Sequence, residues 1–145
     1  MPTDVAADRL STMQVLLVRP PRRTQYEPGL SVPPLGLAYI ASSLKAAGHS
    51  VQIIDAYALR WSWEHFLSTI RKARPDVLGL SAMTPTADVA ARTVAACASH
   101  VRYTVLGGPH PTAVGASVFE EMPLLDAAVI GEGEDIAKLP GGVLL

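Results

Sequence analysis

Apolar residues fall along this chain in short unbroken runs separated by longer mixed stretches, and that alternation sets the elements. Runs rich in branched residues at 14–18, 51–54, 77–81, 104–106 and 127–130 read as five strands buried on both faces. Between them, helices are predicted over 34–47, closed by Gly48, and over 62–73, closed before Pro75. Two more are predicted, an alanine-rich one over 86–99 and one over 112–121 that ends before Pro123. Strands alternating with helices build a parallel sheet, and right-handed crossovers place helices on both of its faces. The expected fold class is α/β, a doubly wound parallel five-stranded sheet.

Composition narrows this to one domain. The 145 residues are 49% hydrophobic and 17% charged, enough for a single packed core. The core unit is expected over 13–135, between an N-terminal tail at 1–12 and a short tail at 136–145. In that last stretch Pro140 and the Gly141-Gly142 pair forbid the long closing helix such a fold usually has, so the domain reads as cut short. A formal net charge of -1 gives no electrostatic footprint for nucleic acid or for an anionic membrane surface. There is no apolar run long enough for a secretion signal or a membrane span, and the expected location is the cytoplasm. The single cysteine, Cys97, excludes an internal disulfide and any cysteine-only metal cluster, and it reads as a small buried residue.

Doubly wound sheets bind ligands in the crevice outside the carboxyl ends of their strands. Those ends are Arg19-Pro20-Pro21, Asp55-Ala56-Tyr57, Ser81-Ala82-Met83-Thr84, Gly107-Gly108-Pro109-His110 and Gly131-Glu132-Gly133-Glu134. The first connection has no glycine before Gly29, so it carries neither a dinucleotide fingerprint nor a P-loop. Ser81 stands where a phospho-accepting domain needs an acid, and Thr24 alone makes a poor flavin phosphate loop. What remains is a large, neutral ligand resting on the loops after the third, fourth and fifth strands. The Gly107-to-Thr112 stretch reads as its main loop, with Thr112 set to cap the next helix and His110 at the sheet edge.

A family resemblance follows from five segments taken together. They are Leu16-Leu17-Val18-Arg19-Pro20-Pro21, Pro33-Pro34-Leu35-Gly36-Leu37-Ala38-Tyr39-Ile40-Ala41, Gly79-Leu80-Ser81, Gly107-Gly108-Pro109-His110-Pro111-Thr112 and Ile130-Gly131-Glu132-Gly133-Glu134. In order and spacing these resemble the N-terminal cobalamin-binding domain of B12-dependent radical SAM enzymes, a Rossmann-like, flavodoxin-like B12-binding domain, and the likeness runs from Gln14 to Asp135. The resemblance implies cofactor contacts from Asp55, Ser81, Met83, Thr84, Gly107, Gly108, His110, Gly131, Glu132 and Gly133, with no catalytic residue and no protein metal ligand. It implies that Ser81 donates a hydrogen bond to the dimethylbenzimidazole tail of cobalamin while the Gly107-Gly108 pair leaves room for it.

Histidine-ligating cobalamin domains carry Asp-x-His-x-x-Gly after the first strand, and here no histidine occurs between Val18 and Leu35. The implied cofactor is base-off cobalamin with no protein histidine on cobalt, and His110 lines the tail or the corrin edge. Asp55 can accept from corrin amides or from the amides of its own turn, and Glu132 and Glu134 can hold ligand amides or cap a helix. Arg19, Arg22 and Arg23 read as a solvated loop, and Tyr57, Trp61 and Trp63 as packing residues. A Phe in place of Gly108 is expected to fill the tail channel without unfolding the domain.

Radical SAM chemistry needs an iron–sulfur cluster on three cysteines, so this chain holds no such cluster and is not catalytic alone. The implied function is a cobalamin-binding module serving a radical SAM methyltransferase or cyclase, its partner being a separate radical SAM domain or protein, with no nucleic-acid or membrane partner. The alternative is a truncated structural or interaction remnant that no longer binds cofactor.

Overall fold

The computed structural model describes residues 12–24, 27–29 and 31–131. Within it the strands are β1 (Gln14–Arg19), β2 (Ser50–Asp55), β3 (Val77–Ser81), β4 (Tyr103–Gly107) and β5 (Ala127–Ala128). The helices are α1 (Leu35–Ala46), α2 (Trp63–Ala73), α3 (Ala87–Cys97), α4 (Pro109–Val114) and α5 (Val118–Glu121). The sheet is parallel throughout, in the order β2-β1-β3-β4-β5. The expected α/β architecture is the observed one.

Alternation along β1 divides the core. Leu16 and Val18 point to one face, where they meet Leu78, Leu80 and Leu106 of the neighbouring strands. That face is closed by Phe66 and Ile70 of α2, by Ala90, Val94 and Cys97 of α3, and by Val118 and Met122 at α5. Val15 and Leu17 point the other way, against Val51 and against Leu37 and Ala41 of α1. This second layer is thinner, because α1 packs on β2 and β1. Over β3 and β4 the same face carries Gly79, Ser81, Val105 and Gly107. A Cβ on Gly79 would come within 2.7 Å of Leu17 Cδ2, so the strand spacing there depends on the missing side chain.

Three local expectations change. The helix after β4 starts at Pro109, not Thr112, so Pro109-His110-Pro111 is a first helical turn and not a loop. Prolines fit that turn because its N–H groups have no intrahelical acceptor and their fixed φ is already helical. Gly108, at φ +99°, makes the entry, and the His110 N–H donates to the Ala82 carbonyl at 2.9 Å. Thr112 is therefore no cap: its hydroxyl donates to the Gly108 carbonyl (3.0 Å) and accepts from the Gly131 N–H (3.0 Å). The 112–121 segment is broken at Gly115 (φ +59°) by a turn of 3-10 helix, Gly115–Ser117, which separates α4 from α5. The fifth strand, expected over 127–130, pairs only at Ala127–Ala128.

At the opposite, amino edge two aspartates hold strand starts. Asp76 accepts from the Gln14 N–H (2.8 Å), and Asp126 from the Thr104 N–H (2.7 Å). Cys97 is buried in the thicker layer, and burial pushes its thiol up to about 11. No helix of the described residues is long and apolar enough to cross a membrane.

Candidate functional site

The carboxyl edge of the sheet holds a cavity of about 300 Å³, bounded by the β1–α1 connection, α3 and the end of β3. Arg22, Leu37, Tyr57, Ser81, Met83 and Val89 are among its walls. The connection, residues 20–34, is long for a βα loop and needs internal support. Arg22 supplies it. This residue is only 5% exposed, and its guanidinium donates to the carbonyls of Glu27 (2.8 Å), Tyr57 (3.2 Å) and Gly29 (3.2 Å) while stacking 4.0 Å over the Tyr57 ring. A buried guanidinium needs hydrogen-bond partners, and these three carbonyls take donors on Nε and Nη1 while the Tyr57 ring covers its face. The expectation of a solvated arginine loop is thus corrected at Arg22.

Its neighbours frame the mouth. Arg19 donates to the Val32 carbonyl (2.9 Å), faces Asp55 at 3.5 Å and also stacks on Tyr57. Arg23 spans to the start of α3, where it meets both carboxylate oxygens of Asp88 (2.6 and 3.1 Å) and the Pro85 carbonyl. The hydrogen bond from Arg23 holds the Asp88 carboxyl below its usual range, and the same bond raises Arg23.

The residues expected from the sequence are distributed unevenly around this cavity. Ser81 and Met83 line it, and Met83 is exposed. Asp55 accepts from the Ala58 N–H at 3.0 Å, the role of an aspartate in its own turn. Gly107 and Gly108 lie behind Ser81 and behave differently. A Cβ on Gly107 would meet only Val129 Cβ, at 3.8 Å, whereas one on Gly108 would fall 2.7 Å from Ser81 Oγ and 2.9 Å from the Ala82 carbonyl. Gly108 is required for packing β3 against β4, so the expectation that a bulky side chain there spares the fold is overturned.

His110 is 4% exposed and does not line the cavity. Its Nδ1 lies 3.2 Å from Thr84 Oγ1 and its Nε2 lies 2.6 Å from Glu121 Oε2. Gly131 is exposed at φ +82°, while Glu132 and Gly133 lie outside the described residues, as do Glu134 and the 136–145 tail. Trp61 and Trp63 pack on the core as expected, with Trp63 edge-on to Phe66 at 5.8 Å. Tyr57 borders the cavity instead. Among the walls that sequence reasoning missed are Leu37 and Val89, whose apolar spacing signals only a helix face.

The connections at this edge also leave large apolar side chains in solvent: Val32 and Leu35 before and at the start of α1, Leu59 after β2, Met83 after β3 and Ile130 after β5.

Comparison with known proteins gives a consistent picture. Residues 26–139 match the model of the B12 binding domain. The chain is 38% identical over 130 residues to an uncharacterized methyltransferase of Pyrococcus horikoshii, a match that covers 86% of this chain and 28% of that protein. It is 37% identical over 109 residues to an anaerobic magnesium-protoporphyrin IX monomethyl ester cyclase of Cereibacter sphaeroides, covering 73% of this chain and 18% of the relative. In fold it matches the radical S-adenosylmethionine methyltransferase TsrM of Kitasatospora setae, solved with cobalamin and a 4Fe-4S cluster, at a TM-score of 0.71 and 19% identity over 86% of this chain and 25% of that one. The cobalamin-dependent S-adenosylmethionine radical enzyme OxsB, solved with aqua-cobalamin, gives 0.72 at 19% identity over 93% and 19%. The chain therefore spans less than a third of the length of these relatives.

Proposed function

The chain belongs to the B12-binding domain family, and we propose on that premise that it binds cobalamin at the carboxyl edge of its sheet and presents it to a radical S-adenosylmethionine domain. The observation that carries this reading is the run of small residues on one face of β3 and β4. Gly79, Ser81 and Gly107 share that face, α1 stays over β1 and β2, and Ser81 opens into the cavity. A Cβ at Gly107 would take up space that only Val129 borders, so a flat aromatic group has a surface to lie on there.

The residues fit a large neutral ligand. A cavity of about 300 Å³ is at the small end for a ligand site, so it takes one arm of the cofactor and leaves the body at its mouth. Bound cobalamin supplies a cobalt centre able to carry a methyl group between donor and acceptor. This chain's residues bind and orient it. Ser81 donates to the nucleotide base, Gly107 admits the tail while Gly108 makes the tight turn behind Ser81, and Met83, Thr84, Asp55 and Gly131-Glu132-Gly133 border the corrin. The first connection offers no histidine, and both ring nitrogens of His110 already have protein partners, which supports a base-off cofactor without protein imidazole on cobalt. The apolar edge of Val32, Leu35, Leu59, Met83 and Ile130 suits a covering domain, and with one cysteine in the chain the iron–sulfur cluster belongs to that domain.

The test is a visible spectrum of the protein after incubation with hydroxocobalamin and desalting. Retained corrin bands at base-off positions are expected. A folded protein that stays colourless would overturn the reading in favour of a remnant that holds no cofactor.

A further inference from the structure

At the carboxyl edge His110 is buried with both ring nitrogens engaged. It sits in the first turn of α4, and its backbone N–H is anchored on Ala82, just past β3. Its ring reaches Thr84, in the turn of 3-10 helix that follows β3, and Glu121 at the end of α5. The same turn carries Met83, whose N–H and carbonyl both bond Thr86 Oγ1. One ring thus joins three elements next to the end of β3, where the neighbouring Ser81 and Met83 line the cavity.

Glu121 fixes which nitrogen carries the proton of the neutral ring. An ionised carboxylate only accepts, so at 2.6 Å the Nε2 of His110 carries the hydrogen and donates to Glu121. In the neutral ring Nδ1 is then an acceptor, and the Thr84 hydroxyl, 3.2 Å away, is its donor. With its proton given to Nδ1, the oxygen of the exposed Thr84 is left as an acceptor.

We infer that His110 is a positioning residue: buried beneath the site and touching no ligand, it holds the Thr84 hydroxyl as a hydrogen-bond acceptor for the carboxamide N–H groups at the rim of the corrin. This rests on the cobalamin reading given above. It accounts for a histidine that is neither exposed nor a cobalt ligand.

The two ring nitrogens are separable by substitution. His110→Asn places an amide oxygen near the Nδ1 position and keeps an acceptor for Thr84. His110→Gln places an amide N–H near the Nε2 position and keeps the donor to Glu121. Hydroxocobalamin affinity, read by titration of the corrin bands, is expected to fall about tenfold in His110→Gln and in Thr84→Val, and to stay within about twofold of wild type in His110→Asn. The His110→Gln, Thr84→Val double variant is expected to lose no more than either single one, since both cut one link. Thermal unfolding reports the Glu121 link separately, with His110→Asn the less stable variant. Equal losses of affinity in Asn and Gln, or additive losses in the double variant, would overturn the inference. Ring ¹⁵N shifts of His110 provide a readout without ligand: a proton on Nδ1 at neutral pH refutes the assignment. If wild type binds no cobalamin, the functional reading falls, and the ring shifts alone decide whether His110 sets Thr84.

Discussion

On one face of the sheet Leu16, Val18, Leu78, Leu80 and Leu106 disappear beneath α2, α3 and α5; on the other, α1 covers β1 and β2, and β3 and β4 carry glycine, serine and valine towards their carboxyl ends, with Tyr103 at the amino edge. Both faces come from the same five strands, through side chains that alternate up and down. The difference teaches a division of labour. Large apolar residues supply stability where helices lie close, and small residues keep a strand face approachable, where the proposed function puts the ligand.

The largest effect expected from breaking this comparison comes from the thick layer. Phe66→Ala, at a site with no exposure, should cost about 4 kcal/mol in denaturant unfolding, against about 2 kcal/mol for Leu37→Ala under α1. Equal losses would show that the two faces share the load. Next in size is the glycine pair. Gly108→Ala places a Cβ against Ser81 Oγ and Ala82 at φ +99°, and about 2 kcal/mol of destabilisation is expected. Gly107→Leu, with only Val129 nearby, should change the unfolding midpoint little and yet abolish cobalamin retention. A Gly107 variant that still holds the cofactor would remove the ligand from that face.

A finer contrast is chemical. Cys97 lies in the thick layer with its thiol raised to about 11, so an aromatic disulfide reagent at pH 8 should label it only on unfolding. Rapid labelling of the native protein would mean that this layer opens easily. The smallest effect belongs to the Arg23–Asp88 pair at the cavity mouth, which is exposed and therefore screened. Because the folded state lowers the Asp88 carboxyl, its contribution is present above about pH 4 and is lost as pH falls through the folded value. Asp88→Asn should flatten that acid limb slightly at low ionic strength and have no effect in high salt.

Much of this was legible along the chain. Each strand announced itself by a local apolar run, and all five were placed within a few residues, although β5 is shorter than its run. Helix starts were harder. Pro109-His110-Pro111 has the composition of a turn, and only the bond from the His110 N–H to Ala82 makes it a helix start. Arg22 escaped notice because its acceptors sit at 27, 29 and 57, and no local pattern links those carbonyls to it. His110 and Glu121 meet only because the chain breaks at Gly115 between them.

The sequence by itself determined the parallel α/β sheet, the approximate places of its strands and the family, since these rest on local apolar runs and on the order of short segments. The tertiary structure alone decided which arginine is buried, which glycine borders open space and which one is demanded by packing, and which side chains His110 bonds. Those outcomes depend on atoms brought together from distant parts of the chain, and only the closed fold fixes such distances.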